Sequence, residues 1–148
     1  MVWGGIRGSR TSNLVVINGT LNAQRYINQV LQPEVPPFIQ QNPNTLFQQD
    51  NARPHVARQT LQYLNVNNVQ TLPWPARSPD LNLIEHLWDY IDRRIRLRQH
   101  QPHTRQQHIH ALMDEWKQIP AAFIRRLTFS ARRRVQACLN ANGGHTRY

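Results

Sequence analysis

Asp50 and Glu85 are two carboxylates with 34 residues between them, and each stands where an acid can meet a ligand. Asp50 closes the run Thr45-Leu46-Phe47-Gln48-Gln49 and precedes the polar turn Asn51-Ala52-Arg53-Pro54-His55. A carboxylate at a strand end sits at the sheet edge where ligands gather in α/β folds, although an Asp-Asn pair also serves ordinary turns. Glu85 lies about 100° around a helix from Ile84, just outside its apolar stripe, so it is expected along the seam between helix and sheet, where a metal is within reach. Asn82-Leu83-Ile84-Glu85 has a second reading as a capping box, with Asn82 as N-cap and Glu85 reaching back to its amide. Asp89 and Asp92 read as i, i+4 partners of Arg93 and Arg96.

Positioning these acids falls to a chain that alternates strands with helices and then turns wholly helical. Val2-Trp3-Gly4-Gly5-Ile6 and Leu14-Val15-Val16-Ile17-Asn18 flank a Gly/Ser/Arg turn and predict two neighbouring antiparallel strands. Ala23, Tyr26, Ile27, Val30 and Leu31 share one helical face. That helix is expected to stop before Pro33, with Pro33, Pro36, Pro37 and Pro43 forming a loop. Short strands are expected over 45–49 and 69–72, and after Pro54 a helix with Ala57, Leu61 and Leu64 along one side. The clearest stripe is Ile84, Leu87, Trp88, Ile91 and Ile95. Helices around 109–116 and over 120–140 close the chain before Asn142-Gly143-Gly144. The last one is expected to bury Ile124, Leu127, Ala131, Val135 and Cys138 and to turn Arg125, Arg126, Arg132 and Arg133 the other way. An α/β core with a helical appendage follows, residues 1–98 forming the core and 99–148 a basic helical extension of the same domain.

Charge is divided along the same line. The 148 residues carry 18 basic and 8 acidic side chains, a formal charge of +10. Up to Asp92 six arginines cancel six acids; beyond it eleven arginines and Lys117 face only Asp114 and Glu115. Arginine's planar fork suits bidentate phosphate contact, so an anionic partner such as nucleic acid is expected, a solvated basic helix face being the plainer reading. No apolar run approaches the roughly 18–20 residues that span a bilayer, and no secretory signal pattern opens the chain, which argues against a membrane or secreted protein. Cys138 alone excludes an internal disulfide.

Two strings give these acids a context: Phe47-Gln48-Gln49-Asp50-Asn51-Ala52-Arg53-Pro54-His55 and Ser78-Pro79-Asp80-Leu81-Asn82-Leu83-Ile84-Glu85-His86-Leu87-Trp88. They resemble the second and third catalytic-acid motifs of Tc/mariner-type DDE transposases, and the 34-residue separation matches one branch of that superfamily. Val2-Trp3-Gly4-Gly5-Ile6, Gly19-Thr20-Leu21-Asn22-Ala23 and Ala141-Asn142-Gly143-Gly144-His145-Thr146-Arg147-Tyr148 extend the resemblance over the chain. Leu83 departs from the family's usual proline, at a first-turn position where the change costs little.

The resemblance implies an RNase H-like mixed sheet flanked by helices. Asp50 and Glu85 are then catalytic residues and ligands to Mg²⁺ or Mn²⁺, two ions about 3.5–4 Å apart clamping the attacking and leaving oxygens of an in-line phosphoryl displacement. Asn51 and His55 match motif positions and fall to support or substrate contact; with Arg53, Arg77, Arg132 and Arg133 they form the expected nucleic-acid-binding set, and the Trp74 loop is expected near DNA. The implied activity is DNA-mediated transposition and integration on transposon ends and target DNA, in the nucleus of a eukaryote or otherwise the cytoplasm. No residue here fills the position of the family's first aspartate, upstream of Val2, so the sheet is expected to lack its first strand. Metal binding should be weak, strand transfer by this chain alone absent, and the open sheet edge prone to association with further copies. The family's helix-turn-helix region is likewise expected to precede this segment.

Other readings are a non-catalytic nucleic-acid-binding module with vestigial acids, or an RNase H-like nuclease that cleaves without joining. His100, His103, His108 and His110 suggest zinc but straddle a linker and lack a Cys partner. Trp88 and Trp116 fall on helical stripes and read as core, and Cys138 as a small apolar residue.

Overall fold

Two groups of elements, each with its own apolar core, make up the computed structural model, which describes residues 1–40, 45–76, 78–144 and 146–147. The first unit joins Met1–Trp3 to Val15–Arg77, and the second joins Gly4–Leu14 to Ser78–Tyr148.

In the first unit β1 (Val2–Trp3) pairs antiparallel with β4 (Val15–Val16), Val2 opposite Val16. The expected hairpin is therefore present but divided, since β2 (Ile6–Arg7) and β3 (Arg10–Thr11) form a separate antiparallel pair in the second unit. Helix α1 (Ala23–Tyr26) starts at Asn22, whose side chain accepts from the Arg25 amide at 2.9 Å. Its apolar face joins Ile17, Leu64 and Val69 in a core where Tyr26, Val30 and Leu31 are wholly buried.

That helix does not stop before Pro33. A π-helical turn over Ile27–Leu31 leads straight into α2 (Gln32–Gln40), so Pro33, Pro36 and Pro37 are helical rather than looped, and Pro43 lies outside the described residues. Proline breaks a helix by removing a donor and by pressing its ring on the carbonyl four residues back. The wider turn, in which the Gln32 amide bonds to the Ile27 carbonyl, places Pro33 in the first turn of a new α segment, where its missing donor matters least. Burial of Val35 and packing of Ile39 on the same core offset the donors that Pro36 and Pro37 lack.

The strands expected over 45–49 and 69–72 reduce to one parallel bridge, Phe47 to Thr71. Phe47 donates to the Gln70 carbonyl at 2.7 Å and accepts from the Leu72 amide at 2.9 Å. Phe47 packs on the core whereas Leu46 and Leu72 are exposed, so little burial extends the pairing. After Pro54 the helix is also interrupted: α3 (Arg53–Val56) and α4 (Arg58–Val66) flank Ala57, whose ψ of 141° is extended. The break resets the helical phase, so Thr60 and Leu64 face inward and Leu61, expected on the buried side, is exposed.

The second unit is built on α5 (Leu83–Arg96), α6 (Arg105–Lys117) and α7 (Ala121–Asn140). As the stripe predicts, Leu87, Ile91 and Ile95 are buried, with Ile84 and Trp88 packed against the same core. Trp88 stacks on Trp116 with centroids 5.2 Å apart, and the Trp116 indole donates to the Ser12 carbonyl at 2.9 Å. Thr104 and Gln107 form a reciprocal capping box that starts α6. On α7 the expected stripe fails at Val135, which is 48% exposed, while Arg134 beside it is 5% exposed. Arg134 falls seven residues after the buried Leu127 and so shares its face. Cys138 is half-buried, and positive φ at Asn142 and Gly143 ends α7 where anticipated.

Two features of this unit set its tolerance to change. A Cβ built at Gly4 would lie 2.4 Å from the Trp116 ring, which is fixed by stacking and by its indole bond. Glu115 is buried between Arg94, which bonds one of its oxygens, and Arg98, 2.9 Å from the other. Burial pushes its carboxyl upward, but the two guanidinium groups outweigh this and hold it below the usual range. Gly4→Ala is expected to destabilise the protein by about 1–3 kcal/mol in urea unfolding, as overpacking against a rigid ring does; an unchanged midpoint would contradict that contact. Because the folded carboxyl titrates lower than the unfolded one, its stabilisation is present above the ordinary glutamate range and lost as pH falls through the lowered value. Glu115→Gln should accordingly unfold at a lower temperature near neutral pH and show a shallower acid loss than the parent; parallel pH–stability curves would refute the pairing.

Candidate active site

Gln48 and Gln49 lead from the Phe47 bridge to Asp50, which carries the chain from the first unit's core to the surface. Its Oδ1 accepts twice, from the Ala52 amide at 3.0 Å and from His55 Nδ1 at 2.6 Å. The first bond closes an Asx turn; the second is possible because α3 brings His55 back over the carboxylate. Oδ2 accepts no hydrogen bond among the described residues, and the side chain is 52% exposed. One oxygen is thus tied down by the protein and the other faces solvent.

His55 is itself fixed from below. Its ring lies 4.4 Å from that of the fully buried Tyr26, and the Tyr26 hydroxyl donates to Gln49 Oε1 at 2.8 Å. Gln49 Nε2 in turn donates to the His55 carbonyl at 3.3 Å. Helix α1, the Gln49–Asp50 segment and α3 are so joined through polar atoms around one imidazole. Asn51, expected to give support or substrate contact, donates through Nδ2 to the Trp74 carbonyl at 2.9 Å and anchors that proline-flanked loop. Arg53 is exposed on α3 and makes no ion pair among the described residues.

Glu85 belongs to the second unit, exposed in the first turn of α5. The reciprocal capping box does not form. Asn82 is the N-cap residue, yet its side chain makes no bond to the helix amides, and its own amide donates to the Pro79 carbonyl at 2.9 Å. Asn82 Nδ2 donates instead to Glu85 Oε1 at 3.3 Å. Next along α5, His86 is held below its usual pKa by burial first and by the charge of Arg134 second, with Asp89 and Asp80 opposing. Asp89 and Asp92 pair with Arg93 and Arg96 as i, i+4 reasoning anticipates, at 2.5 and 2.7 Å. Arg132 and Arg133 are exposed on α7, unpaired among the described residues, whereas Arg77 lies outside them.

The motif strings single out Asp50, His55 and Glu85, but not the groups that the structure packs and bonds around them. Tyr26 looked like one more apolar position, and nothing in the spacing marked its hydroxyl. Arg134 carried a signal in its helical phase, masked by the two arginines that precede it.

A profile of the family described as DDE superfamily endonuclease matches residues 2–109. The Tc1 transposase of Caenorhabditis elegans is 34% identical over the whole of this chain, which spans 54% of that relative, about half its length. The Tc3 transposase of the same organism is 31% identical, again over the whole chain and 45% of the relative. Among solved structures, the Mos1 transposase catalytic domain with raltegravir and Mg superposes on 99% of this chain and 75% of that one at a TM-score of 0.80 and 23% identity. The Mos1 strand transfer complex covers 91% of this chain and 39% of its counterpart, with a TM-score of 0.74 and 24% identity. These likenesses show the fold, an RNase H-like mixed α/β arrangement.

Burial lifts the Tyr26 phenol far above its ordinary value, with the nearby Asp50 charge adding to the rise and a hydrogen bond with Trp3 opposing it. A group raised in this way stabilises the fold fully below its unfolded pKa of about 10, and that stability is lost as pH climbs from there through the raised folded value. Tyr26→Phe is expected to remove most of the alkaline loss of stability above about pH 10, at a cost near neutrality of about 1 kcal/mol for the missing bond to Gln49. Thermal melts across that range check it; an undiminished alkaline loss would place the titrating group elsewhere.

Proposed function

Because this chain belongs to the DDE superfamily endonucleases, with Tc/mariner-type transposases among its relatives, we propose that it is the part of a DNA transposase that carries the catalytic acids Asp50 and Glu85. In this reading both are ligands to Mg²⁺ or Mn²⁺. The observation that carries it is the state of Asp50, one oxygen oriented by His55 and the Ala52 amide and the other presented to solvent. A residue serving only a turn would have no need of the imidazole.

The donor chemistry fits a hard divalent ion, since both side chains offer carboxylate oxygens at exposed positions. Among the described residues no group of three or more His, Cys, Asp or Glu gathers as a metal site. Mg²⁺ commonly takes only one or two carboxylates and fills its shell with water and substrate phosphate oxygens, so each carboxylate is by itself a suitable donor. A bound ion would supply charge to the attacking and leaving oxygens of an in-line phosphodiester displacement. The protein's own part is to hold the carboxylates at fixed orientation, through His55 for Asp50 and through Asn82 for Glu85.

DNA, as transposon end and target, is the proposed substrate. Arg53, Arg132 and Arg133 offer exposed guanidinium groups for phosphate, and the strand transfer complex is a likeness with that chemistry in its name. Among the described residues no helix is long and apolar enough to cross a membrane. Association with further copies, and a nuclear site of action in a eukaryote or otherwise a cytoplasmic one, belong to the same proposal. The exposed Arg132 and Arg133 favour one second reading, a nucleic-acid-binding module whose acids are vestigial.

Mn²⁺ titration of the full chain, paired with salt-dependent binding of a DNA duplex, separates the two. Asp50→Asn and Glu85→Gln should each weaken Mn²⁺ binding tenfold or more while leaving the salt slope of DNA binding intact. Replacing Arg132 and Arg133 by Ala should flatten that slope by about 0.9 for each phosphate that is no longer neutralised. Mn²⁺ binding indifferent to both acid substitutions, with DNA binding retained, would replace the catalytic reading by the binding module.

A further inference from the structure

Helix α5 begins without the usual side-chain cap, because the Asn82 side chain makes no bond to its first amides. An uncapped first turn frays readily, yet this turn carries Glu85. Something else must hold it.

The second unit supplies a buried cation at that place. Arg134, 5% exposed on α7, directs Nη1 to the Asp80 carbonyl at 3.0 Å and to His86 Nε2, while its Nε donates to Ser130 Oγ at 2.9 Å. Asp80 lies in the 3₁₀ turn Pro79–Leu81 that leads into α5, and His86 follows Glu85 directly. One guanidinium therefore grips the chain on both sides of Glu85. Ser130, which orients the guanidinium, is buried and donates to the Leu127 carbonyl at 2.6 Å. A second tie comes from beyond α7: Thr146 donates to Asp80 Oδ2 through its hydroxyl at 2.9 Å and its amide at 3.4 Å.

Resting on the reading of Glu85 as a metal ligand, we propose that Arg134, assisted by Thr146, is a positioning residue that fixes the entry into α5 and hence the orientation of the Glu85 carboxylate. Burying a charge is costly, and well-packed apolar replacements of buried ionic groups are often neutral or stabilising, so packing alone does not account for an arginine here. What an apolar side chain cannot do is hold a carbonyl and an imidazole at one spacing. Arginine does so because its donors are fixed in a plane and stay charged at every accessible pH. Lysine, with one flexible ammonium, cannot reproduce the fork.

The test uses the full chain with Arg134→Lys, Arg134→Met, Thr146→Val and Glu85→Gln, and reads amide hydrogen exchange, Mn²⁺ affinity and thermal melting together. Arg134→Lys should speed exchange in residues 82–87 at least about tenfold while leaving α6 unchanged, and weaken Mn²⁺ binding about tenfold, as loss of an outer hydrogen-bond partner does. Thr146→Val, which removes only a hydroxyl, should shift both in the same direction by less and keeps the test open should Arg134→Met fail to fold. Exchange that rises equally through α5, α6 and α7, or Mn²⁺ binding unmoved by Arg134→Lys while Glu85→Gln abolishes it, would overturn the proposal alone. Glu85→Gln that leaves Mn²⁺ binding intact would instead remove the metal-ligand reading, and this inference with it.

Discussion

A hydrogen bond of 2.6 Å between His55 and Asp50 is the interaction on which the candidate chemistry turns. An isolated exposed aspartate samples several rotamers and offers both oxygens to water. Tying Oδ1 to an imidazole and an amide removes that freedom and leaves Oδ2 in one direction, which is what a metal ligand requires. The imidazole can do this only because it rests on the Tyr26 ring, and Tyr26 stays in place because the core around Val30, Leu31 and Leu64 buries it completely. Packing of an apolar core is thus converted into the orientation of one carboxylate.

Glu85 is served by the other core through a different device. Leu87, Ile91 and Ile95 bury one face of α5 and fix its axis, but burial of a stripe does not by itself order a first turn. Polar contacts from α7 and from Thr146 complete that job. Each unit therefore carries one acid and the supports specific to it. The basic residues divide in a similar way: Arg93 and Arg96 are taken up by Asp89 and Asp92, Arg94 and Arg98 by Glu115, and Arg132 and Arg133 remain exposed.

Much of this is legible in the order of residues, because the signals are periodic. The stripe of α5 and the buried face of α1 follow from 3.6-residue spacing, and the stop near Gly143 from turn chemistry. Sequence and structure part where hydrogen bonding rather than hydropathy decides the outcome. Pro33 signals a stop, but a π turn shifts the bonding register ahead of it. Leu61 and Val135 look buried on hydropathy, yet the break at Ala57 and the polar partners of Arg134 give those places to Thr60 and Arg134. A strand of five residues is expected before Asp50, where only Phe47 pairs. Around Asp50 and Glu85, the motif strings name residues, whereas the atoms that touch, such as Asn51 Nδ2 on the Trp74 carbonyl, depend on loop geometry that no spacing encodes.

Crystals of the full chain grown with Mn²⁺ and measured by anomalous diffraction would address the role of Asp50 most directly. An ion should lie about 2.1 Å from Oδ2, the distance usual for a small hard divalent cation, with the His55 bond to Oδ1 preserved. An ion on Oδ1 with His55 displaced, or Mn²⁺ density found only away from Asp50, would show that the imidazole holds this carboxylate for some purpose other than metal chemistry.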